Sequence, residues 1–205
     1  MQNNPFNMYA GEYEDWFREN PVIFQSELEA IKKVMPAEGE GVEVGIGTGV
    51  FAEPLGIRYG IDPAQKMLDY ARNRGLVVEK AVAENLPYTD HYFDYVVFIT
   101  SLCFIGDPKK ALAEARRVLK PGGIVIVAFI DRNSALGKTL ETGKEESPFY
   151  RHARFFSTPE ILLLLEESGF TMTDVYQTLI KMDSKTPEQP ERGYGKGGFV
   201  VIRAE

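Results

Sequence analysis

The spacing of apolar residues changes along the chain and marks out its elements. Tyr9, Tyr13, Trp16 and Phe17 recur at helical spacing, which predicts a helix ended by Pro21. Phe24, Leu28, Ile31 and Met35 share one face of a second helix, with Pro36 as its stop. After it, short apolar runs alternate with helical stripes. "GVEVGIG" and "RYGID" read as strands. Pro63 then opens a helix with Ala64, Met67, Leu68 and Ala71 on one stripe, closed by Gly75. "LVVEKAV" and "YFDYVVFIT" read as the third and fourth strands. "IVIVAFI" is the fifth, apolar throughout, as expected of a strand covered on both faces. Between the fourth and fifth, Asp107 and Pro108 open a helix with Leu112, Ala115, Val118 and Leu119 inward, ended by "KPGG". "STPEILLLLEESGF" predicts a further helix, and two last strands lie around residues 171–180 and 198–203.

Strand and helix alternate, so the expected class is α/β, with a mostly parallel sheet and helices on both faces. The reading is one domain over 1–205. Residues 1–36 form an N-terminal helical cap, 40–130 the core, 131–156 a polar irregular lid, and 157–205 a helix with the last strands. An irregular connection as long as 131–156 is uncommon unless it is functional. The polar, Pro/Gly-rich stretch "MDSKTPEQPERGYGKG" reads as a mobile connection.

Composition narrows the partners. The net charge is −7, from 30 acidic and 23 basic residues, without a Lys/Arg block to track a phosphate backbone. Nucleic acid is therefore not expected. Cys103 is the single cysteine, which excludes an internal disulfide or a cysteine metal cluster. His91 and His152 lie far apart and make no metal-ligand spacing, so no metal is expected. "MQNNPFNMY" lacks the pattern of a signal peptide, and Ile124 to Ile130 is too short to span a bilayer. The expectation is a soluble, cytoplasmic protein.

The candidate chemistry lies in "VEVGIGTGVF". Gly45, Gly47 and Gly49 follow the first strand, and such strand ends hold the ligands of open α/β sheets. Glycine lets the main chain turn through left-handed angles and approach a ligand. The helix that follows, near Val50 to Leu55, would present free N–H groups. Asp62 closes the second strand, seventeen positions after Gly45, where a carboxylate can accept from two ribose hydroxyls. An adenosine-containing ligand suits this pair. A dinucleotide fingerprint would need glycine where Val50 stands, and no Tyr-x-x-x-Lys pair occurs, so an NAD-linked oxidoreductase is the weaker reading.

These motifs in order resemble the class I S-adenosylmethionine-dependent methyltransferases, of the short methyltransferase-domain branch that acts on small molecules. "VEVGIGTG", "YGIDPAQKML", "AENLPYTDHYFDYVVF" and "EARRVLKPGGIVIV" carry the resemblance, over roughly residues 40 to 130. It implies a Rossmann-like, doubly wound, seven-stranded sheet with an antiparallel final strand, and S-adenosylmethionine as cofactor. It also implies roles. The turn Gly45, Ile46, Gly47, Thr48 and Gly49 would wrap the methionine part of the cofactor, with Glu43 holding its amino end. Asp62 would bind the ribose, Pro63 and Met67 would flank the adenosine, and Ala83 and Glu84 would meet the adenine edge. Thr100 would border the methionine moiety. Relatives often place Asp at the position of Val82 and His after the fourth strand, where this chain has "SLCFIGD".

The implied reaction is in-line transfer of a methyl group to a small-molecule N, O, S or C nucleophile. The alternative is a module that binds the cofactor without catalysis. His152 is the candidate base by residue type. Tyr9, Tyr13, Trp16, Tyr150 and Arg151 are candidates for the acceptor pocket. The acceptor and the oligomeric state are not legible.

Overall fold

The computed structural model describes residues 4–181 and 183–205. Met182, the first residue of the polar connection, lies outside them. Strands β1 (Gly41–Val44), β2 (Tyr59–Asp62), β3 (Val77–Lys80), β4 (Phe93–Ile99) and β5 (Leu119–Ile130) pair in parallel in the order 3-2-1-4-5. Beyond β5 the sheet continues antiparallel through β8 (Phe199–Ala204), β6 (Met172–Thr178) and β7 (Glu191–Arg192).

Helices cover both faces. On β4, Val96 and Phe98 belong to the core beneath α6 (Pro108–Val118) and α8 (Thr158–Glu167). Val97 and Ile99, pointing the other way, belong to the core beneath α3 (Pro21–Lys32) and α5 (Gln65–Asn73). A strand buried on both faces has no polar side to show, which is why its sequence is a continuous apolar run. The caps expected from sequence are present. Asp107 accepts the Lys110 N–H at 3.0 Å, and Gly75 and Gly169 take φ of +80° just past their helices.

Three expectations are corrected. The sheet has eight strands among the described residues, not seven. The extra strand comes from the polar connection, where Glu191 and Arg192 pair with Gln177 and Tyr176. The buried Gln177 carboxamide accepts the N–H groups of Lys196 and Gly197, both at 2.8 Å, so this connection is tied to the sheet. Second, the lid is not wholly irregular. It holds α7 (Ala135–Gly143), capped by Ser134, whose hydroxyl accepts the Gly137 N–H at 2.9 Å. Third, a separate helical turn, α1 (Pro5–Met8), precedes the first predicted helix, which is α2 (Ala10–Glu19).

Candidate active site

β1 and β4 lie side by side, but the chain leaves them in opposite directions across the sheet, β1 toward β2 and β4 toward β5. Their carboxyl ends therefore open a crevice, the usual place for a ligand in such sheets. The glycine turn lies on the β1 side of that crevice. The Gly45 and Ile46 N–H groups both donate to the Ile61 carbonyl at 2.9 Å. Gly45 has φ +78°, and a Cβ there would fall 2.5 Å from the Cβ of Ser101. Ser101 in turn donates its hydroxyl to the Val44 carbonyl at 2.6 Å, closing the β1 and β4 ends against each other. A side chain at Gly49 would run into Leu76. Gly47 is different. The nearest atom to a Cβ there is the Tyr13 hydroxyl, 3.8 Å away. Of the three glycines, Gly45 and Gly49 are small for the protein's own packing, and Gly47 leaves space open.

That space is a cavity of about 620 Å³. Of the residues expected at the cofactor, Gly45, Gly47, Asp62, Pro63, Met67, Ala83, Glu84 and Thr100 line it. Asp62 is buried and held in place: its Oδ1 accepts the Ala64 N–H at 2.7 Å and its Oδ2 the Gly47 N–H at 3.0 Å. Burial pushes its carboxyl up to about 6 against the pull of these two donors. Thr100 has φ +48°, a left-handed conformation that is costly for a β-branched residue. Its N–H donates to the Ala128 carbonyl at 2.8 Å, so the turn begins at the last rung of the ladder.

Other expected residues stand back. Ile46 is buried in the core against Gly60, and Thr48 is fully buried. Neither they nor Gly49 line the cavity. Glu43 is 2 % exposed and sits behind the wall, with its Oε2 unpaired among the described residues. Burial first, and then the charge of Asp62, raise its carboxyl well above the ordinary range. The helix after the turn, α4 (Ala52–Leu55), is a single turn, so the expected array of helical N–H groups is not formed.

On the acceptor side, Tyr13, Trp16, Tyr150 and His152 line the cavity, His152 as an exposed residue. Tyr9 instead packs edge-on against Phe149, and Arg151 turns outward to donate to the Glu145 carbonyl at 3.0 Å. Phe6, Phe104, Phe149 and Glu27 complete this side and were not singled out by sequence. The signal for Glu27 was present: a carboxylate at an apolar position of α3, between Phe24 and Ile31.

A methyltransferase-domain family matches residues 42–127. A Thermotoga maritima crystal structure, described as an S-adenosylmethionine-dependent methyltransferase and possible histamine N-methyltransferase, is 47% identical with a TM-score of 0.95. The match covers 98% of this chain and 97% of that one. The chain belongs to the S-adenosylmethionine-dependent methyltransferases. An uncharacterised protein of Methanocaldococcus jannaschii is 45% identical over 98% of both chains. A malonyl-acyl carrier protein O-methyltransferase of Geobacter sulfurreducens is 30% identical, over 84% of this chain and 71% of its own length.

The residues present fit the methyltransferase cofactor. S-adenosylmethionine carries an ammonium, and the buried, unpaired Glu43 Oε2 lies beside the turn where that end would rest. It carries ribose hydroxyls, and Asp62 reaches the cavity wall with lone pairs to spare beyond its two backbone donors. Where relatives often use Asp for adenine, Val82 is 47% exposed, and Glu84 is engaged by the Asp107 N–H at 3.1 Å.

Proposed function

We propose that this protein transfers a methyl group from S-adenosylmethionine to a small-molecule nucleophile. The cavity carries the reading. It is continuous from Gly47 and Asp62 to the aromatic rings of Tyr13, Phe149 and Tyr150. One ligand end can therefore be held by the turn while the other half of the space faces an acceptor. The sulfonium of the cofactor supplies an activated methyl and a neutral leaving group. The chain's share is placement. Asp62 holds the ribose, Glu43 favours the ammonium, and the Thr100–Ser101 turn bounds the reacting end. Bringing the acceptor into line contributes much of the rate in such a displacement.

A small-molecule acceptor suits the dimensions of the site. A cavity of about 620 Å³ lies within the range of small-molecule sites. The Thermotoga relative's description points to nitrogen and the Geobacter relative's name to oxygen, so their names favour neither acceptor atom.

Thermal melts with S-adenosylmethionine, S-adenosylhomocysteine and NAD test the cofactor. Either sulfur ligand near 100 times its Kd is expected to stabilise by about 2.7 kcal/mol. A shift with NAD alone would overturn the reading. Release of S-adenosylhomocysteine over a panel of amines, phenols, thiols and carboxylates tests the transfer. Cofactor stabilisation without turnover of any class would leave a binding module.

A further inference from the structure

Glu27 is a buried carboxylate without a partner. It is 6% exposed, lies on α3 and lines the cavity. Among the described residues its carboxyl has neither a hydrogen bond nor an ion pair, and burial alone pushes it up to about 8. A charged group is seldom buried unless something pairs with it, because losing water costs far more than apolar packing returns. Without such a pair a carboxyl keeps its proton to higher pH; among the described residues nothing supplies one, and the cavity that Glu27 lines is where a ligand could.

The surroundings indicate what kind of ligand. Tyr13 and Tyr150 face Glu27 closely enough that its charge disfavours their ionisation. The charges of Glu43 and Asp62 act on Tyr13 in the same sense. Lys181 and Glu188 stand on the strap that follows β6, and Glu188 is occupied by the Ile180 and Lys181 N–H groups at 2.8 and 2.7 Å. Lys181 aside, the wall about Glu27 is acidic and aromatic, a setting that favours an amine by charge and by ring faces.

We propose that Glu27 binds the acceptor as an amine and receives its proton during methyl transfer; the proposal rests on the methyltransferase reading above. The amine enters the step in its neutral form, its ammonium proton having passed to solvent; its nitrogen directs an N–H to the carboxylate, which leaves its lone pair free for the methyl carbon. The N–C bond forms, the C–S bond breaks with its electron pair passing to sulfur, and the N–H proton passes to Glu27. A neutral amine, a sulfonium and a carboxylate become a neutral methylamine, a thioether and a carboxylic acid. Burial favours this step, since it removes two opposite charges from a water-poor site. His152, expected as the base by residue type, is exposed at the cavity wall, whereas Glu27 is enclosed.

The test compares the wild-type protein with Glu27→Gln and Glu27→Asp. Probes are phenethylamine, tyramine and histamine, with phenethyl alcohol and phenylacetate as uncharged and anionic counterparts. Two readouts are taken: binding of each probe to the S-adenosylhomocysteine complex, and formation of S-adenosylhomocysteine from S-adenosylmethionine. Only the amines are expected to bind and turn over. Glu27→Gln is expected to lower kcat/KM for amines about 100-fold and to flatten its rise with pH, with cofactor affinity unchanged and partial recovery in Glu27→Asp. Turnover of the alcohol or acid that survives Glu27→Gln would overturn the amine assignment and leave methyl transfer standing. Amine turnover unaffected by Glu27→Gln would overturn the role of Glu27. Failure of every amine to bind or react would overturn the proposal, and the cofactor melts would show separately whether the methyltransferase reading falls with it.

Discussion

The Asp62 carboxylate accepts the Gly47 N–H at 3.0 Å, joining the end of β2 to the one glycine of the turn whose side-chain position opens on the cavity. The same carboxylate takes the Ala64 N–H at 2.7 Å. It therefore orders the turn and the start of α5 before any ligand arrives.

Asp62→Ala is expected to weaken S-adenosylmethionine binding at least 10-fold and to destabilise the unliganded protein by about 1–3 kcal/mol, because two buried N–H groups lose their acceptor. Asp62→Asn keeps one acceptor and should cost less stability than affinity. Titration calorimetry with S-adenosylhomocysteine and denaturant melts separate the two effects. Ribose hydroxyls donate best to the ionised carboxylate, so affinity should rise as pH passes upward through about 6. An affinity that is flat across that range would argue against ribose at Asp62.

The glycines should divide by what they face. Gly45→Ala places a methyl against Ser101 at left-handed φ, so its main expected effect is lost stability, about 2 kcal/mol or more. Gly47→Ala carries the left-handed strain of about 1 kcal/mol without a clash, and its methyl occupies ligand space. Its cofactor affinity should fall further than its stability. Equal losses of affinity in the two folded variants would contradict the assignment.

The unliganded protein should lose stability as pH rises from 5 to 9. Asp62 is raised from 3.8 to about 6 and Glu27 from 4.5 to about 8, with Glu43 raised as well. For each the folded value lies above the unfolded one. Their contribution is fully present below the unfolded values and is lost as pH climbs through the folded ones. The depressed carboxyls, Glu29, Asp94, Glu114 and Glu160, act below this window and do not oppose the trend within it. Glu27→Gln should shrink the fall in unfolding free energy between pH 5 and 9, by an amount on the order of a few kcal/mol. Identical pH profiles for the two proteins would show that Glu27 is not the group being titrated.

Arg74 holds the N-terminal helices to the turn. Its guanidinium reaches Glu14 of α2 at 2.6 Å, Glu53 at 2.7 Å and the Thr48 carbonyl at 3.1 Å. Arg74→Met keeps the apolar stem and removes the clasp. Because the pairs are partly exposed, the global cost should be about 1 kcal/mol or less. Local opening should be larger, since among the described residues Glu14 already has one buried oxygen unpaired. Faster hydrogen exchange or proteolysis within residues 10–19 is the expected result, and unchanged exchange there would show that packing alone holds α2.

Much of the sheet was readable because its pattern is local. β4 and β5 are apolar throughout, and Asp107, Pro108 and Gly75 mark helix ends by chemistry that needs no distant partner. The same holds for the turn and Asp62, which follow directly from the ends of β1 and β2. α7 is hard to read from sequence although Ser134 caps it and Leu136 and Leu140 share a face, because the polar residues around them mask a short stripe. β7 carries no apolar alternation, and it exists because the buried Gln177 holds the chain nearby.

By itself, then, the sequence determined the α/β class, the alternation of strands and helices in its core and the stretch where a cofactor is expected, since these depend on residues near one another in the chain. Only the tertiary structure decided which glycine faces the ligand, that Thr48 and Ile46 are packing residues, and that Glu27 ends in the cavity beside Tyr13 and Tyr150. Those outcomes depend on how α2, α3 and the lid close over the sheet. A side chain's meaning there is set by which distant residues share its burial, and the spacing of residues along the chain does not encode that directly.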